Sequence, residues 1–201
     1  MLRPSSRLPR GFTLIELVIG ISILSILIAM AAPSFSRWIM NMGIRGTAGS
    51  LLDGLQLARS EALRRNTTVR FQLTSTLGND CALSTSGPHW IISRDLAENL
   101  CGTAPSETEA PRLIRSHDGE QAGGSRALID AGQSLFAFNG LGRLASPAAN
   151  ILVSGPDGVG NCTPNGKDER CLRIEISSGG GVRMCDPALT STNPNDPQAC
   201  S

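Results

Sequence analysis

The sequence predicts an α+β fold in which a long N-terminal helix, with a transmembrane half and an amphipathic half, packs on a mostly antiparallel β-sheet. Three observations support this fold class. An apolar run occupies residues 12–32, a stripe of apolar residues at helical spacing follows, and short alternating segments separated by turn residues fill the remainder. The 201 residues suit one loop-rich domain with an appended segment rather than two full domains.

The first eleven residues, MLRPSSRLPRG, contain three arginines, no acid and no apolar core. They are typical of a cytoplasmic basic leader and are not expected to belong to the folded domain. The apolar run after them would form a helix about 31 Å long, at ~1.5 Å per residue, which matches the hydrocarbon core of a bilayer. Positive charge before the run places the N-terminus in the cytoplasm and sends the C-terminal domain across the membrane. Simple secretion, with cleavage after Ala29–Ala32, is the alternative.

Glu16 is the one charged residue within the apolar run. A carboxylate inside an apolar helix costs about 2.5–3.5 kcal/mol on insertion scales unless a cation meets it. Glu16 therefore either lies near the membrane interface and is tolerated there, or pairs with a cation from another subunit.

The segment Gly11–Glu16, GFTLIE, resembles the class III prepilin signal of type IV pilins and type II secretion pseudopilins. The resemblance implies cleavage after Gly11 by a prepilin peptidase and N-methylation of the new first residue, Phe12. It implies an assembly role for Glu16, through the N-terminal amine of a neighbouring subunit. Pro33 falls where many pilins carry a helix-bending proline. The implied partners are the peptidase, other major and minor pilins or pseudopilins, the inner-membrane assembly platform and, before assembly, inner-membrane lipid.

Helical periodicity continues beyond the apolar run. Apolar residues form one stripe at Leu51, Leu55, Ala58 and Ala62, which predicts a helix to about Asn66 with this face packed on a sheet. Three glycines, Gly43, Gly46 and Gly49, weaken the helix before this stripe by roughly 1 kcal/mol each. They suit a segment that leaves the bilayer and repacks, or they reflect loose local packing.

The end of this helix, LQLARSEALRRN over residues 55–66, resembles the corresponding segment of the GspH/FimT family of minor pilins and type H pseudopilins. The predicted organisation is therefore a leader at 1–11, a transmembrane helix at 12–32, its periplasmic continuation at 33–66 and a β-rich pilin domain at 67–201. We expect a single-pass inner-membrane protein that later enters a surface pilus or a periplasmic pseudopilus.

Six short segments of the C-terminal region are predicted to be strands, because they alternate or are apolar and lie between turn signals. Residues 102–127 are rich in polar residues, Gly and Pro and are predicted to be a loop. The predicted strands are Thr67–Ser75, His89–Arg94, Ser134–Asn139, Ile151–Ser154, Leu172–Ser177 and Gly181–Cys185.

The cysteines all follow residue 80, and their even number in an exported domain indicates disulfides rather than free thiols. Six cysteines allow 15 pairings. We favour pairing of sequence neighbours, because each bridge would then close a short loop, worth about 2–4 kcal/mol against unfolding. The favoured pairs are Cys81–Cys101, Cys162–Cys171 and Cys185–Cys200.

The sequence contains no convincing catalytic or metal-binding pattern. His89 and His117 are the two histidines, and neither has the neighbours of a nucleophilic or zinc site. Oxygen-bearing residues between Asp157 and Glu169 resemble a hydrated loop more than a calcium loop. We expect no enzymatic activity, no cofactor and no bound metal.

The near-neutral charge, with a formal net charge of +1 that includes three leader arginines, argues against a protein that coats nucleic acid. The segment Gly179–Pro187 nevertheless resembles the end of DNA-uptake minor pilins of the FimT type. On that resemblance Arg183 is the second arginine of a basic pair, and Gly181 stands where the first would be. Arg173, with Arg170, is the candidate to compensate, so DNA binding would be weak.

Three functions remain open from the sequence: a structural minor pilin of a type IV pilus, in or at the tip of the filament; a type H pseudopilin of a type II secretion system; and a DNA-binding minor pilin for natural transformation.

Overall fold

The computed structural model describes residues 12–120, 127–156, 171–192 and 195–200, without the side chains of 31–34, 37 and 190–192. Internal contacts divide the chain into two units, Met1–Trp38 and Ile39–Ser201. The first unit contains the beginning of a long helix. The second contains the rest of that helix and all the strands found among the described residues.

Helix α1 spans Leu14–Arg65. Its C-terminus is closed by a Schellman motif, in which Asn66 adopts a positive φ of 46°. The Thr67 N–H donates to the Ala62 carbonyl at 3.2 Å, and the Asn66 N–H donates to the Leu63 carbonyl at 3.3 Å. These bonds satisfy carbonyls that the helix end would otherwise leave free. The predicted end of the helix near Asn66 is thus confirmed.

Eight strands form two four-stranded antiparallel sheets within the described residues. Sheet A has the order β3-β2-β1-β5, and sheet B has the order β4-β6-β7-β8. The strands are β1 Val69–Thr74, β2 His89–Ser93, β3 Leu113–His117, β4 Leu128–Ala131, β5 Leu135–Phe138, β6 Ala149–Ser154, β7 Leu172–Ile176 and β8 Val182–Cys185; a short helix, α2, spans Pro187–Thr192. The α+β fold class is confirmed, with two sheets in place of the single sheet expected.

All six predicted strands are present, but the loop predicted at 102–127 is wrong because β3 lies inside it. Strand β4 and helix α2 were also not predicted. Strand β3 is an edge strand with the sequence LIRSH, and its last four residues are at least partly exposed. An edge strand buries little surface, so its sequence carries neither a regular alternation nor an apolar run.

The main core lies between α1 and the two sheets. The predicted stripe is fully or almost fully buried, as are Ile44 and Ala48, which lie two turns and one turn before it. The stripe belongs to the same core cluster as Phe71, Phe136 and Phe138 of sheet A and Ile151 and Ile174 of sheet B. The amphipathic half of the predicted helix therefore has the role expected of it.

A second, smaller core includes Ile91 from sheet A and Leu113 at the start of β3. The Cys81–Cys101 disulfide is part of this core, with its Cα atoms 6.1 Å apart. The Cys185–Cys200 disulfide ties β8 to the C-terminal segment, with Cα atoms 5.1 Å apart. Cys171 is also disulfide-bonded, whereas its predicted partner Cys162 lies outside the described residues. Two of the three predicted bridges are therefore present.

The apolar side chains of residues 12–30 are exposed, from Phe12 at 87% through Ile23 at 55% to Met30 at 75%. Among the helices searched over the described residues, none has both the length and the apolarity needed to cross a membrane. The transmembrane span at residues 12–32 stays a prediction.

Candidate functional site

The candidate assembly site is the start of α1, where Thr13 precedes the first helical residue, Leu14. The Thr13 hydroxyl accepts a hydrogen bond from the Glu16 backbone N–H at 3.3 Å. This is the first half of a capping box, in which a Thr before the helix is followed three residues later by a Glu. The role of Thr13 was not predicted, although the T-x-x-E pattern was there to indicate it.

Glu16 lies in the first turn of α1, where the positive end of the helix dipole favours a carboxylate. It is also exposed, as is Phe12. The site thus combines a local electrostatic reason for an acid with a position accessible to another molecule. Gly11 lies outside the described residues, so cleavage after Gly11 and methylation of Phe12 stay predictions. Pro33 lies within the bounds of α1, and the predicted bend there also stays a prediction.

The candidate DNA-binding residues lie on the outer face of sheet B. Arg183 of β8 is directly opposite Glu175 of β7, and its Nε and Nη2 atoms donate to Glu175 Oε2 at 2.9 and 2.8 Å. Arg173 lies two residues before Glu175 on the same face and is half-buried. The structure therefore brings both predicted arginines to one face, but it pairs Arg183 with an acid. Arg170 lies outside the described residues.

Gly180, three residues before Arg183, has a structural reason to be glycine. Gly180 adopts a φ of 80°, which glycine accepts readily, and a Cβ there would collide with the Gly142 carbonyl oxygen. Gly180 N–H donates to the Ser177 carbonyl at 2.8 Å, and Ser177 N–H donates to the Gly181 carbonyl at 2.9 Å. The turn between β7 and β8 thus requires glycine at position 180 independently of any ligand.

His117 is the last residue of the edge strand β3, and His89 is the first residue of the neighbouring strand β2. His89 Nδ1 is 3.2 Å from Asp118 Oδ1, and the His117 ring stacks on Trp90 at 4.9 Å. Burial, and secondarily the charge of Arg115, lowers the pKa of His117 below its ordinary value. Among the described residues, one group of potential metal ligands lies close together, formed by Glu175, Cys185 and Cys200. The two sulfur atoms of this group form a disulfide and are therefore not available as thiolate ligands.

Comparisons with known proteins match this chain to two family models. The model described as Type II transport protein GspH matches residues 47–180, and the Prokaryotic N-terminal methylation motif matches residues 7–32. No curated protein matches. Two crystal forms of the type IV minor pilin FimU of Pseudomonas aeruginosa are similar in structure. One has a TM-score of 0.47 at 19% identity over 79% of this chain and 95% of FimU. The other has a TM-score of 0.46 at 19% identity over 78% and 99%.

The GspH model covers well over half of the chain, from the second half of α1 through β7 to the turn before β8. The methylation motif covers part of the leader and the apolar start of the same helix. The chain therefore belongs to the GspH family, as a GspH/FimT-like type IV pilin.

Proposed function

We propose that this chain is a structural minor pilin of a type IV pilus, incorporated in the filament or at its tip after cleavage and N-methylation at Phe12. The family assignment supports the coarser statement that it is a type IV minor pilin or a GspH-like pseudopilin. Proteins of this kind are structural, and the N-terminal motif implies processing by prepilin peptidase, anchoring in the inner membrane and assembly with other pilins.

The observation that carries the proposal is the exposed apolar helix between Phe12 and Met30, with Glu16 in its first turn. A helix that is apolar all round requires lipid or other apolar helices around it. Lipid alone leaves the Glu16 carboxylate without a cation, since residues 12–32 contain no lysine or arginine. A neighbouring subunit with a free amine at its own Phe12 supplies both the apolar surface and the cation.

The proposal is tested on the full chain in its own bacterium. Mass spectrometry of the N-terminal peptide should find a mature protein that begins with methylated Phe12, and immunoblots should detect this protein in sheared surface pili. An inner-membrane protein of known location serves as the control for cell lysis. A processed chain that is absent from pili would contradict the pilus assignment, and a chain that begins at Met1, or at Ala31 or later, would contradict the processing.

The match to the GspH family model favours type H pseudopilin as the second candidate function. In that case, deletion of the gene should leave surface pili intact and should retain exported enzymes in the periplasm. A minor pilin gives the opposite result, because its loss reduces surface pili and leaves secretion unchanged. Comparing piliation and secretion in one deletion strain separates the two.

A further inference from the structure

A cleft of about 420 Å³ opens between α1 and the edge strand β3 of sheet A. We call it the α1–β3 cleft. Its helix side consists mainly of small residues, and its strand side carries two long side chains, Arg115 and His117, with Trp90 beside them. The residues on the helix side are Arg45, Gly46, Gly49, Ser50, Asp53, Gly54 and Leu57.

Trp90 gives the α1–β3 cleft a fixed wall. Its ring is only 4% exposed, stacks on His117 and packs 5.4 Å from the ring of Phe71. Its indole N–H donates to the Ser50 hydroxyl of α1 at 3.0 Å, which ties the strand side to the helix side. The wall is therefore held from both sides before any partner binds, and a preformed site loses less entropy when it is occupied.

The charges of the cleft are unbalanced. Arg45 and Arg115 both line it, and neither forms an ion pair with any residue that the structure describes. Elsewhere in the same domain, arginines pair with carboxylates, as Arg112 does with Asp95 and Arg183 with Glu175. Among the described residues that line the cleft, Asp53 is the one acid.

His117 adds a further unmet polar group. Its Nε2 atom is buried and has no hydrogen-bond partner within the described structure. Buried polar atoms are nearly always paired in native proteins. Two guanidinium groups without an ion-pair partner and one unpaired buried imidazole nitrogen thus occur together in the lining of the cleft, within the described residues.

The helix side of the cleft has room for a chain from outside. A Cβ built on Gly49 meets nothing within 4 Å. Two exposed apolar residues, Ile39 at 39% and Met42 at 55%, lie on the same side of α1 two to three turns before Gly49. An apolar surface thus continues directly from the positively charged cleft.

We propose that the α1–β3 cleft binds an acidic side chain of a neighbouring pilin-like subunit. The carboxylate pairs with Arg45 and Arg115, and apolar residues next to it pack on Ile39 and Met42. Guanidinium groups bind carboxylates through strong, charge-assisted hydrogen bonds. A DNA phosphate fits less well, because the exposed apolar residues Ile39 and Met42 add nothing to phosphate binding. This inference rests on the proposed function only in that the chain assembles with other pilins.

A photo-cross-linking amino acid at position 53 of the full chain, expressed in the native bacterium without its wild-type copy, tests the proposal. Irradiation should give an adduct whose partner peptide, identified by mass spectrometry, belongs to another protein with a prepilin N-terminus and contains an Asp or Glu. Arg115→Glu should reduce the adduct about tenfold, since it replaces attraction by repulsion. Its matched control is Arg143→Glu, the same charge change at an exposed arginine outside the cleft.

A second pair of variants tests whether filling the cleft with a larger side chain prevents the partner from binding. Gly49→Leu should fill it and abolish the adduct without disturbing the fold, because that position faces open space. Gln56→Leu adds the same side chain to an exposed position of α1 that does not line the cleft, and it should leave the adduct intact. Normal protein levels and intact disulfides confirm that each variant is folded.

Three outcomes would overturn the proposal. The chain that carries only the cross-linker at position 53 gives no adduct, the adduct contains DNA, or the adduct persists in both Arg115→Glu and Gly49→Leu. These outcomes are distinct from failure of the proposed function. If the chain is absent from pili but still forms the subunit adduct, the cleft proposal is supported and the pilus assignment is contradicted. If the chain is present in pili but forms no adduct, the pilus assignment is supported and the cleft proposal is contradicted.

Discussion

Glu16 has two physical reasons to be an acid, and they act in different states of the protein. In the isolated chain its carboxylate lies in the first turn of α1, where the helix dipole stabilises it by about 0.3–1 kcal/mol. In an apolar assembly the same carboxylate requires a cation, and on the proposed function a processed neighbouring subunit would supply one at Phe12. The second effect is the larger wherever the assembly excludes water from Glu16, because an unpaired ion in a dry protein interior costs several kcal/mol.

We predict that Glu16→Val leaves membrane insertion, cleavage and folding intact but lowers the amount of the chain in sheared filaments by more than about tenfold. Glu16→Gln should do nearly the same, because the amide keeps the shape and the capping ability but not the charge. Immunoblots of sheared filaments, normalised to processed protein in the membrane fraction, measure the effect.

Thr13→Val is the matched control for these two variants. It removes the hydroxyl that caps α1, a loss of about 1 kcal/mol, and keeps the carboxylate. Filament entry should therefore persist in Thr13→Val. Normal assembly of Glu16→Gln together with failure of Thr13→Val would show that Glu16 acts by capping its own helix.

His117 makes the stability of the domain depend on pH. Burial is the main cause that lowers its pKa, the neighbouring charges of Arg115 and His89 lower it further, and Asp118 opposes them. The folded state therefore binds fewer protons than the unfolded state at pH values just below the ordinary histidine pKa of about 6.5. The contribution of neutral His117 to stability is fully present above about pH 6.5 and is lost as pH falls below it.

The melting temperature of the full chain in detergent should thus fall between about pH 7.5 and pH 5, and His117→Gln should flatten this dependence. Trp90 fluorescence provides a second readout, since Trp90 stacks on His117 and the other tryptophan, Trp38, is exposed. An unchanged pH dependence in His117→Gln would assign the effect to other groups.

Helix α1 is a single element whose glycines serve different purposes. Gly54 is buried against sheet A, and a Cβ there would lie 2.7 Å from Phe71 Cε2 and 3.1 Å from two atoms of the Trp90 ring. Gly49 faces open space. Glycine in a helix costs about 1 kcal/mol relative to alanine in either place, but only Gly54 is required by close packing.

Alanine at the two glycines should therefore have opposite effects. Gly49→Ala should stabilise the domain by about 0.5–1 kcal/mol, and Gly54→Ala should destabilise it by about 1–2 kcal/mol once overpacking exceeds the gain in helix propensity. Denaturant unfolding followed by Trp fluorescence measures both. Stabilisation by Gly54→Ala would mean that Phe71 and Trp90 move aside easily and that the helix–sheet contact is less tight than the structure indicates.

Strand β3 shows why an element can escape prediction. Its neighbour β2 is buried along its whole length and has an apolar sequence, so it was predicted. Strand β3 pairs with β2 on one side only, and its partners across the sheet, Trp90 and Ile92, supply the apolar surface that it lacks. The register of the sheet, rather than the sequence LIRSH, makes this segment a strand.

The formal net charge of the whole molecule is +1, so positive charge is nearly balanced by negative charge. The protein therefore has no excess of cations to replace counterions on DNA, and its affinity for DNA should be low. Of the two candidate DNA-binding residues, Arg173 and Arg183, the second is already paired with Glu175, which reduces its capacity to bind a phosphate.

We accordingly predict weak DNA binding by the full chain in detergent, with a shallow dependence on salt. Arg173→Ala should lower the affinity more than Arg183→Ala, because Arg183 is already paired, and Arg64→Ala, in an exposed i,i+3 ion pair, serves as the control. Gel shifts at low and moderate salt measure the affinity. Tight binding at moderate salt that Arg183→Ala abolishes would show that DNA displaces Glu175 and that the proposed weakness is wrong.

The sequence by itself determined the N-terminal motif, the buried stripe of α1, six of the eight strands and two disulfides between sequence neighbours. Each is a local property, since apolar length, helical spacing, alternation and short loop closure are legible over a few to about twenty residues. The candidate assembly residues Phe12 and Glu16 belong to this class, because a motif in one continuous segment identifies them.

Tertiary structure alone decided what depends on pairing between distant segments. It divided the strands between two sheets, made an edge strand of LIRSH, placed Glu175 against Arg183, and brought Arg45 of α1 and Arg115 of β3 to one cleft. Register across a sheet and packing of a helix against a strand set these neighbours, and no spacing along the chain encodes them. The physical reason is that a local pattern fixes which face of an element is buried, whereas the identity of its neighbour follows only from how the elements pack.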